Sequence, residues 1–374
     1  MIESVTVYVD EAAVVHNTKL LRKTLNPNTK IISVIKANGY GLGMVQLALL
    51  SEKMNIDILA VLDVAQAIEL REGGVTAPIL LMGATLVSNF ELLIKYDLIQ
   101  VLIDYDYAQK LSDFGLEHDE VVKTHLKVNT GLNRLGMRDY DEIEATYNLP
   151  GIEVQGIYSH FVEAQAYEVD AVEFSKAQIS EFKSVLKQLE EQGINPGLTH
   201  MQNSPSVLHF GDLGFDAVRC GMVMFGLFHP SQKAYADQEG YKDVVRLESR
   251  IAMIRNIRKG EFVGYGRSFY ADRDIRLATI SAGYCDGVMK QLSLNGGGVY
   301  INGTWCPILG DIAMSQFMVD VTHVACEPED VVMIFGGAQQ TIYDYIAITG
   351  QSINELVSHL RYNIPRVYEN KIFD

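Results

Sequence analysis

The sequence predicts an α/β fold, a (β/α)8 barrel of the TIM type followed by a mostly-β second domain, and three observations predict it. From residue 10 to about 230, short apolar runs alternate with helical patterns eight times, as repeated βα units do. Eight such units in roughly 220 residues match the size of a closed barrel. No G-x-G-x-x-G follows the first run at Lys36 to Gly43, which counts against an open doubly wound sheet. Past residue 235 the pattern changes to strand-like runs joined by glycine turns, so the chain divides into a barrel, 1–235, and a β-rich domain, 236–374. The polar stretch Ser231 to Glu239 reads as the linker.

Asp10 can cap a helix reaching about Leu25, with Val14, Leu21 and Leu25 on one face. Strand one is Ile31 to Ile35, a continuous apolar run of the kind buried on both faces, and a helix from about Leu42 to Met54 follows. Strands two to five are Asp57 to Leu62, Pro78 to Met82, Leu98 to Ile103 and Thr124 to Val128. Helices at Val64 to Glu72, Asn89 to Lys95 and Tyr107 to Phe114 lie between them. Val154 to Tyr158 is strand six; the helix after it repeats Val172, Ile179, Phe182, Leu186 and Leu189 at helical spacing and ends at Gly193. Leu198 to Met201 is strand seven, Ser204-Pro205 opens the next helix, and Phe215 to Val218 is strand eight. In the second domain Val244 to Ile257, Arg276 to Ser281, Gly298 to Ile301, Cys306 to Leu309, Phe317 to Val321 and Val331 to Ile334 read as strands. Asp344 to Ile348 and Ser352 to Leu360 read as helices, and Arg361 to Asp374 as a closing extended segment.

Composition narrows the function. A formal charge of −16 and a sequence pI near 5.0 argue against nucleic acid or an anionic membrane as the main partner, since both need clustered Lys and Arg. Met1 to Asp10 lacks the pattern of a secretory leader and no apolar run is long enough to span a bilayer, so a cytoplasmic protein is expected. The four cysteines show no C-x-x-C pairing, which indicates neither a zinc site nor a disulfide framework.

The chemistry gathers at one rim. In a (β/α)8 barrel the active site lies at the carboxyl ends of the strands. Lys36 follows strand one, Lys127 and Arg134 fall at or after strand five, His160 follows six, Asn203 and Ser204 follow seven, and Arg219 follows eight. Singly each has an ordinary explanation: a snorkelling lysine, a satisfied core histidine, a structural arginine. A lysine desolvated at a strand end, however, has a lowered pKa and favours the free amine that forms a Schiff base with an aldehyde. Ser204-Pro205 at a helix start and the turn Arg219-Cys220-Gly221-Met222 offer backbone N–H groups to an anion, where barrels often hold phosphate. An aldehyde-binding lysine and a phosphate site across one barrel mouth together describe pyridoxal phosphate.

Val34-Ile35-Lys36-Ala37-Asn38-Gly39-Tyr40-Gly41-Leu42-Gly43 resembles the cofactor-lysine motif of the alanine racemases, pyridoxal-phosphate enzymes built from a barrel and a β-rich domain. Lys127-Val128-Asn129-Thr130-Gly131-Leu132-Asn133-Arg134-Leu135-Gly136, Gly156 to Phe161, Asn203-Ser204 and Val218 to Met222 continue the resemblance. So do Gly264-Tyr265-Gly266, Gly283-Tyr284-Cys285-Asp286-Gly287 and Ile364-Pro365-Arg366, so that it spans nearly the whole chain. It implies that Lys36 binds the cofactor and acts as one acid/base, and that Tyr265, supplied by the partner subunit of a homodimer, is the other. Taken alone, a tyrosine between two glycines is an ordinary turn residue. Racemisation removes a proton from one face of the α-carbon and returns one to the other, so two groups must flank it.

The resemblance further implies that Arg219 faces the pyridine nitrogen, that His160 joins Arg219 and Tyr265, and that Tyr40, Ser204, Gly221, Met222 and Tyr362 hold the phosphate. Arg134 and the backbone of Met314 would meet the substrate carboxylate, and Lys127 would be a candidate for carbamylation. Departures fall at Gly39 and Leu42, where the family usually has Ala and His, and at Asp311 and Ser315, where it usually has Arg and Asp. The activity expected is interconversion of L- and D-alanine, supplying D-alanine for peptidoglycan; the runner-up is racemisation of serine, lysine or ornithine. A decarboxylase usually sets a carboxylate where Arg219 stands, and a cofactor-carrying barrel would lack the second domain.

Overall fold

The computed structural model describes residues 4–373; the start of the Met1 to Asp10 stretch examined for a leader, and the last residue of the closing segment, lie outside these. Strand β1 (Val5–Asp10) leads into the helix Glu11–Thr24, whose first turn is capped by the Asp10 carboxylate accepting the N–H of Ala13 at 2.9 Å. Eight parallel strands then close in chain order into a barrel: β2 (Lys30–Val34), β3 (Ile58–Val61), β4 (Ile79–Leu81), β5 (Leu98–Leu102), β6 (Val122–Lys127), β7 (Ile152–Tyr158), β8 (Leu198–Asn203) and β9 (Ala217–Cys220). Closure is by β9 on β2, with Arg219 opposite Ile32.

Because successive side chains point to opposite faces, each strand divides its residues between the barrel interior and the helices outside. On β2 to β5 the interior face carries Ile32, Val34, Ile58, Ala60, Leu80 and Ile99, a cluster separate from the main core. On β6 to β9 the same face carries His125, Lys127, Tyr158, His200 and Arg219, all almost fully buried. One half of the barrel is thus apolar and the other polar, and the asymmetry places the site.

The second domain is an eight-stranded sheet and a small ribbon. Its strands are β10 (Val245–Ile257), the ribbon β11 (Phe262–Val263) and β12 (Phe269–Tyr270), β13 (Ile275–Ile280), β14 (Gly298–Ile301), β15 (Thr304–Pro307), β16 (Phe317–Asp320), β17 (Val331–Phe335) and β18 (Arg366–Glu369). Here the expected boundary needs correction. β1 belongs to this sheet, antiparallel to β10 and parallel to β18, although residues 1–235 were assigned to the barrel. The alternation Val5, Val7, Val9 buries one face of β1 in the main core, and pairing with β10 and β18 draws both chain ends into one sheet. The stretch read as a linker is instead the helix Pro230–Gln238, with proline at its first turn and Gln232 buried against the Pro205 carbonyl at 2.9 Å. A short helix at Tyr140–Thr146 was also not anticipated. Among the described residues no helix is long and apolar enough to cross a membrane, and no group of His, Cys, Asp or Glu could hold a metal ion.

Candidate active site

Lys36 is the second residue past β2, where the chain enters an uncommon turn. Ala37, Asn38, Gly39 and Tyr40 all have φ between 54° and 61°. Left-handed backbone costs a non-glycine residue roughly 1 to 2 kcal/mol, so three such residues need external support. The turn closes on itself through Gly39 N–H to the Ile35 carbonyl at 2.9 Å and Gly43 N–H to the Asn38 carbonyl at 2.9 Å. The far end of the chain clamps it: Arg366 Nε donates to the Gly41 carbonyl at 3.0 Å, and the Tyr368 hydroxyl to the Leu42 carbonyl at 3.1 Å. The motif Ile364-Pro365-Arg366 thereby acquires a structural role.

Two adjoining cavities meet at Lys36. The first, about 290 Å³, is lined by Lys36, Tyr40, His160, Ser204, Arg219, Gly221 and Met222. The second, about 210 Å³, is lined by Lys36, Lys127, Arg134, Tyr158 and His160. Burial, then the positive charges of Arg134 and Arg219, lower the Lys36 amine below the usual lysine range. The same causes, with Lys36 itself, bring Lys127 down to about 8. Desolvation pushes the half-buried Tyr40 phenol well above its usual value, which keeps it a hydrogen-bond donor.

Arg219 is only 2% exposed and is the largest fully buried side chain. Among the described residues no carboxylate meets it; its terminal nitrogens donate to His200 Nδ1 at 2.7 Å, His160 Nδ1 at 3.0 Å and the carbonyls of Ser159, His200 and Met201 at 2.7 to 3.2 Å. Its plane lies over the Tyr158 ring, 4.7 Å from the centroid. Burial lowers its pKa to about 10, so it stays cationic at neutral pH. His160 and His200 lie well below 6.5, through burial first and the Arg219 charge second, and are neutral. Among the described residues Arg219 Nε is buried with no partner, which leaves one N–H unspent.

Ser204 accounts for the turn after β9. Its hydroxyl oxygen accepts the N–H groups of Gly221 at 3.2 Å and Val223 at 3.3 Å. The Gly221 amide, part of the turn read from the sequence as open to an anion, is therefore already engaged. Sequence reasoning missed His125 and His200, the interior partners beyond Arg219. Each sits at an inward position of a strand, which only the register of the barrel reveals. It also passed over Gln165, His229 and Asn354, which line the first cavity.

Three expected residues are not brought to these cavities. Tyr362 is 59% exposed; its hydroxyl donates to the Glu69 carboxylate rather than meeting the phosphate-side lining, and its carbonyl accepts from Arg366. Tyr265 is 77% exposed, between Gly264 and Gly266 at φ 81° and 64°. Met314 is also exposed, its carbonyl accepting the Cys285 N–H at 2.9 Å. Gly283 is required for that contact, since a Cβ there would lie 2.3 Å from the Met314 oxygen. The Asp311 N–H, held by Ser268 Oγ at 3.1 Å, fixes the Tyr265 turn to the Met314 loop, so these residues share one open face of the second domain.

Comparison with known proteins bears on the family and the fold. The family description "Alanine racemase, N-terminal domain" matches residues 9–229, and "Alanine racemase, C-terminal domain" matches residues 244–368. The chain is 34% identical to alanine racemase 1 of Caldanaerobacter subterraneus subsp. tengcongensis, over 97% of this chain and 94% of that one. The solved alanine racemase of Clostridium difficile superposes with a TM-score of 0.93 at 28% identity, covering 100% of this chain and 98% of that chain. An alanine racemase of Bartonella henselae, solved with covalently bound pyridoxal phosphate, superposes with a TM-score of 0.84 at 26% identity, over 98% of this chain and 99% of that one. Matched along both its domains, this chain belongs to the alanine racemase family.

Proposed function

We propose that the protein interconverts L- and D-alanine with pyridoxal phosphate held at Lys36, and that it works as a homodimer in the cytoplasm, where D-alanine is supplied for peptidoglycan. The observation that carries this is the pairing of Lys36 with Arg219 in one cavity: a desolvated amine facing a buried cation whose only unspent donor is Nε. A pyridine nitrogen is an acceptor, and the unspent donor on a residue that lines the cavity suits it. When bound, pyridoxal phosphate supplies an electron sink for the charge left when the α-proton departs.

The chain's residues do the rest. Lys36 Nζ, its pKa lowered by burial and by the Arg134 and Arg219 charges, is suited to carry or release a proton. Arg219, cationic and locked by five acceptors, would offer Nε–H to the ring nitrogen and disfavour a proton there, which would restrain the sink and suppress side reactions. Tyr40, Ser204 and the Met222 backbone lie where a phosphate group would be held. Arg134, and Met314 of the partner subunit, are suited to the substrate carboxylate. Tyr265 of the partner subunit would serve the opposite face of the α-carbon, and its exposure on an open face supports an intersubunit role. The four free cysteines accord with a reducing compartment.

A second reading has one supporting observation: Asp311 places a carboxylate on the loop tied to the Tyr265 turn, which suits a cationic substrate side chain such as that of lysine or ornithine. Steady-state racemisation of alanine, serine, lysine and ornithine by wild type and Lys36→Ala tests both. Alanine is expected to be preferred, with Lys36→Ala devoid of turnover and of the absorbance band of lysine-linked cofactor. A preference for lysine or ornithine would install the second reading, and turnover by Lys36→Ala would refute both.

A further inference from the structure

The hydrogen bonds around Arg219 have a direction, and following it leads away from the cofactor cavity to the opposite end of the barrel. A guanidinium only donates. Since Arg219 reaches His200 Nδ1 at 2.7 Å, that nitrogen must accept, and the neutral His200 ring carries its proton on Nε2. His200 Nε2 lies 2.9 Å from His125 Nδ1, which must therefore accept in turn. His125 then holds its own proton on Nε2, which has no partner among the described residues. The His125 side chain lines a separate cavity of about 370 Å³ with Lys30, Asp57, Asp97, Lys123 and Gln155, from the amino-terminal ends of the barrel strands.

We propose that His125 is a positioning residue for the reaction: by accepting from His200 Nε2 it completes, with Arg219 at Nδ1, the pair of hydrogen bonds that fixes the His200 tautomer, and so supports the aim of the Arg219 guanidinium from the floor of the barrel. Among the described residues no other hydrogen bond holds the His200 ring except those to Arg219 and His125, while Tyr158 stacks on its face at 4.8 Å and 7°. Without the acceptor at His125, the His200 Nε2–H is left buried and unpaired, a cost that opposes the hold Arg219 has on Nδ1. The Nδ1–H form would set a donor against the Arg219 N–H and displace the guanidinium, moving Nε with it. Burial and the Arg219 charge hold His125 itself down at about 3, so it stays an acceptor. Gly156 supports the arrangement, since a Cβ there would come within 2.8 Å of the His125 ring.

The activity arm of the test rests on the racemase reading; the tautomer arm does not. His125→Leu removes the acceptor at similar volume, and His125→Asn restores one, its amide oxygen standing near the position of Nδ1. In cofactor-free protein with 15N-labelled histidine, His200 is expected to be protonated on Nε2 in wild type and His125→Asn, and to lose that preference in His125→Leu. Loaded enzyme should show kcat lowered roughly ten- to a hundredfold in His125→Leu with KM little changed, and His125→Asn recovering most of it. Wild-type His200 protonated on Nδ1, a tautomer unaltered in His125→Leu, or equal kcat in the two variants would each overturn the proposal. If only His125→Asn folds, the wild-type and Asn tautomers decide it.

Discussion

Arg219 shows how a single buried charge shapes its neighbours. It survives without a counter-ion because five neutral acceptors satisfy its terminal nitrogens, and it imposes neutrality on the imidazoles beside it. Burial first, and then its charge, lower His125 to about 3 and hold His160 and His200 well below 6.5. In the unfolded chain each titrates near its ordinary 6.5. As pH falls through about 6.5 the unfolded chain takes up protons that the folded one refuses, so the stability these groups contribute is full above that pH and is lost below it. Urea midpoints measured from about pH 7.5 to about pH 5 should therefore fall less steeply in His125→Asn than in wild type, by close to one proton's worth. Parallel curves would contradict neutral burial of His125. Lys36, Arg219 and His160 were legible in the sequence because polar residues stood just past strand ends. His125 and His200 were not, because a histidine within a strand gives no sign of which way it faces until the register is known.

At the scale of elements, the turn after β2 carries most of the site's precision and most of its strain. Its left-handed residues are held by the carboxyl-terminal segment, and Gly41, at φ 76°, is where the two meet: a Cβ would lie 2.1 Å from the Val357 carbonyl oxygen. Gly74 has φ 90° with nothing within 4 Å of a Cβ, and serves as a control for backbone strain alone. Gly74→Ala should cost roughly 1 to 2 kcal/mol, and Gly41→Ala at least about 2 kcal/mol more because backbone must move. Equal losses by chemical denaturation would show that the clamp yields easily. The strand-helix alternation was readable because parallel strands buried on both faces are near-continuous apolar runs, as in Ile31 to Ile35. The sheet position of β1 was readable in principle from Val5, Val7 and Val9, but a lone alternating strand does not disclose its partner across more than two hundred residues. The helix Pro230–Gln238 was masked by its polarity.

The whole molecule is a barrel with one polar half, capped at the carboxyl ends of its strands and joined to a sheet woven from both chain ends. Within one chain the site has Lys36, Arg219 and His160 together, but Tyr265 and Met314 lie on an exposed face and line neither of the cavities at Lys36. The sequence could suggest their roles only through resemblance, since a tyrosine between two glycines carries no chemical signature. The most direct test of the account is to mix separately purified Lys36→Ala and Tyr265→Phe proteins, let the subunits exchange, and measure racemisation. Each variant alone should be nearly inactive, while random pairing in two-fold dimers should regenerate intact sites and recover roughly a quarter of wild-type activity. Failure of the mixture to exceed the two variants, once exchange is verified, would contradict a site completed by Tyr265 of the partner subunit.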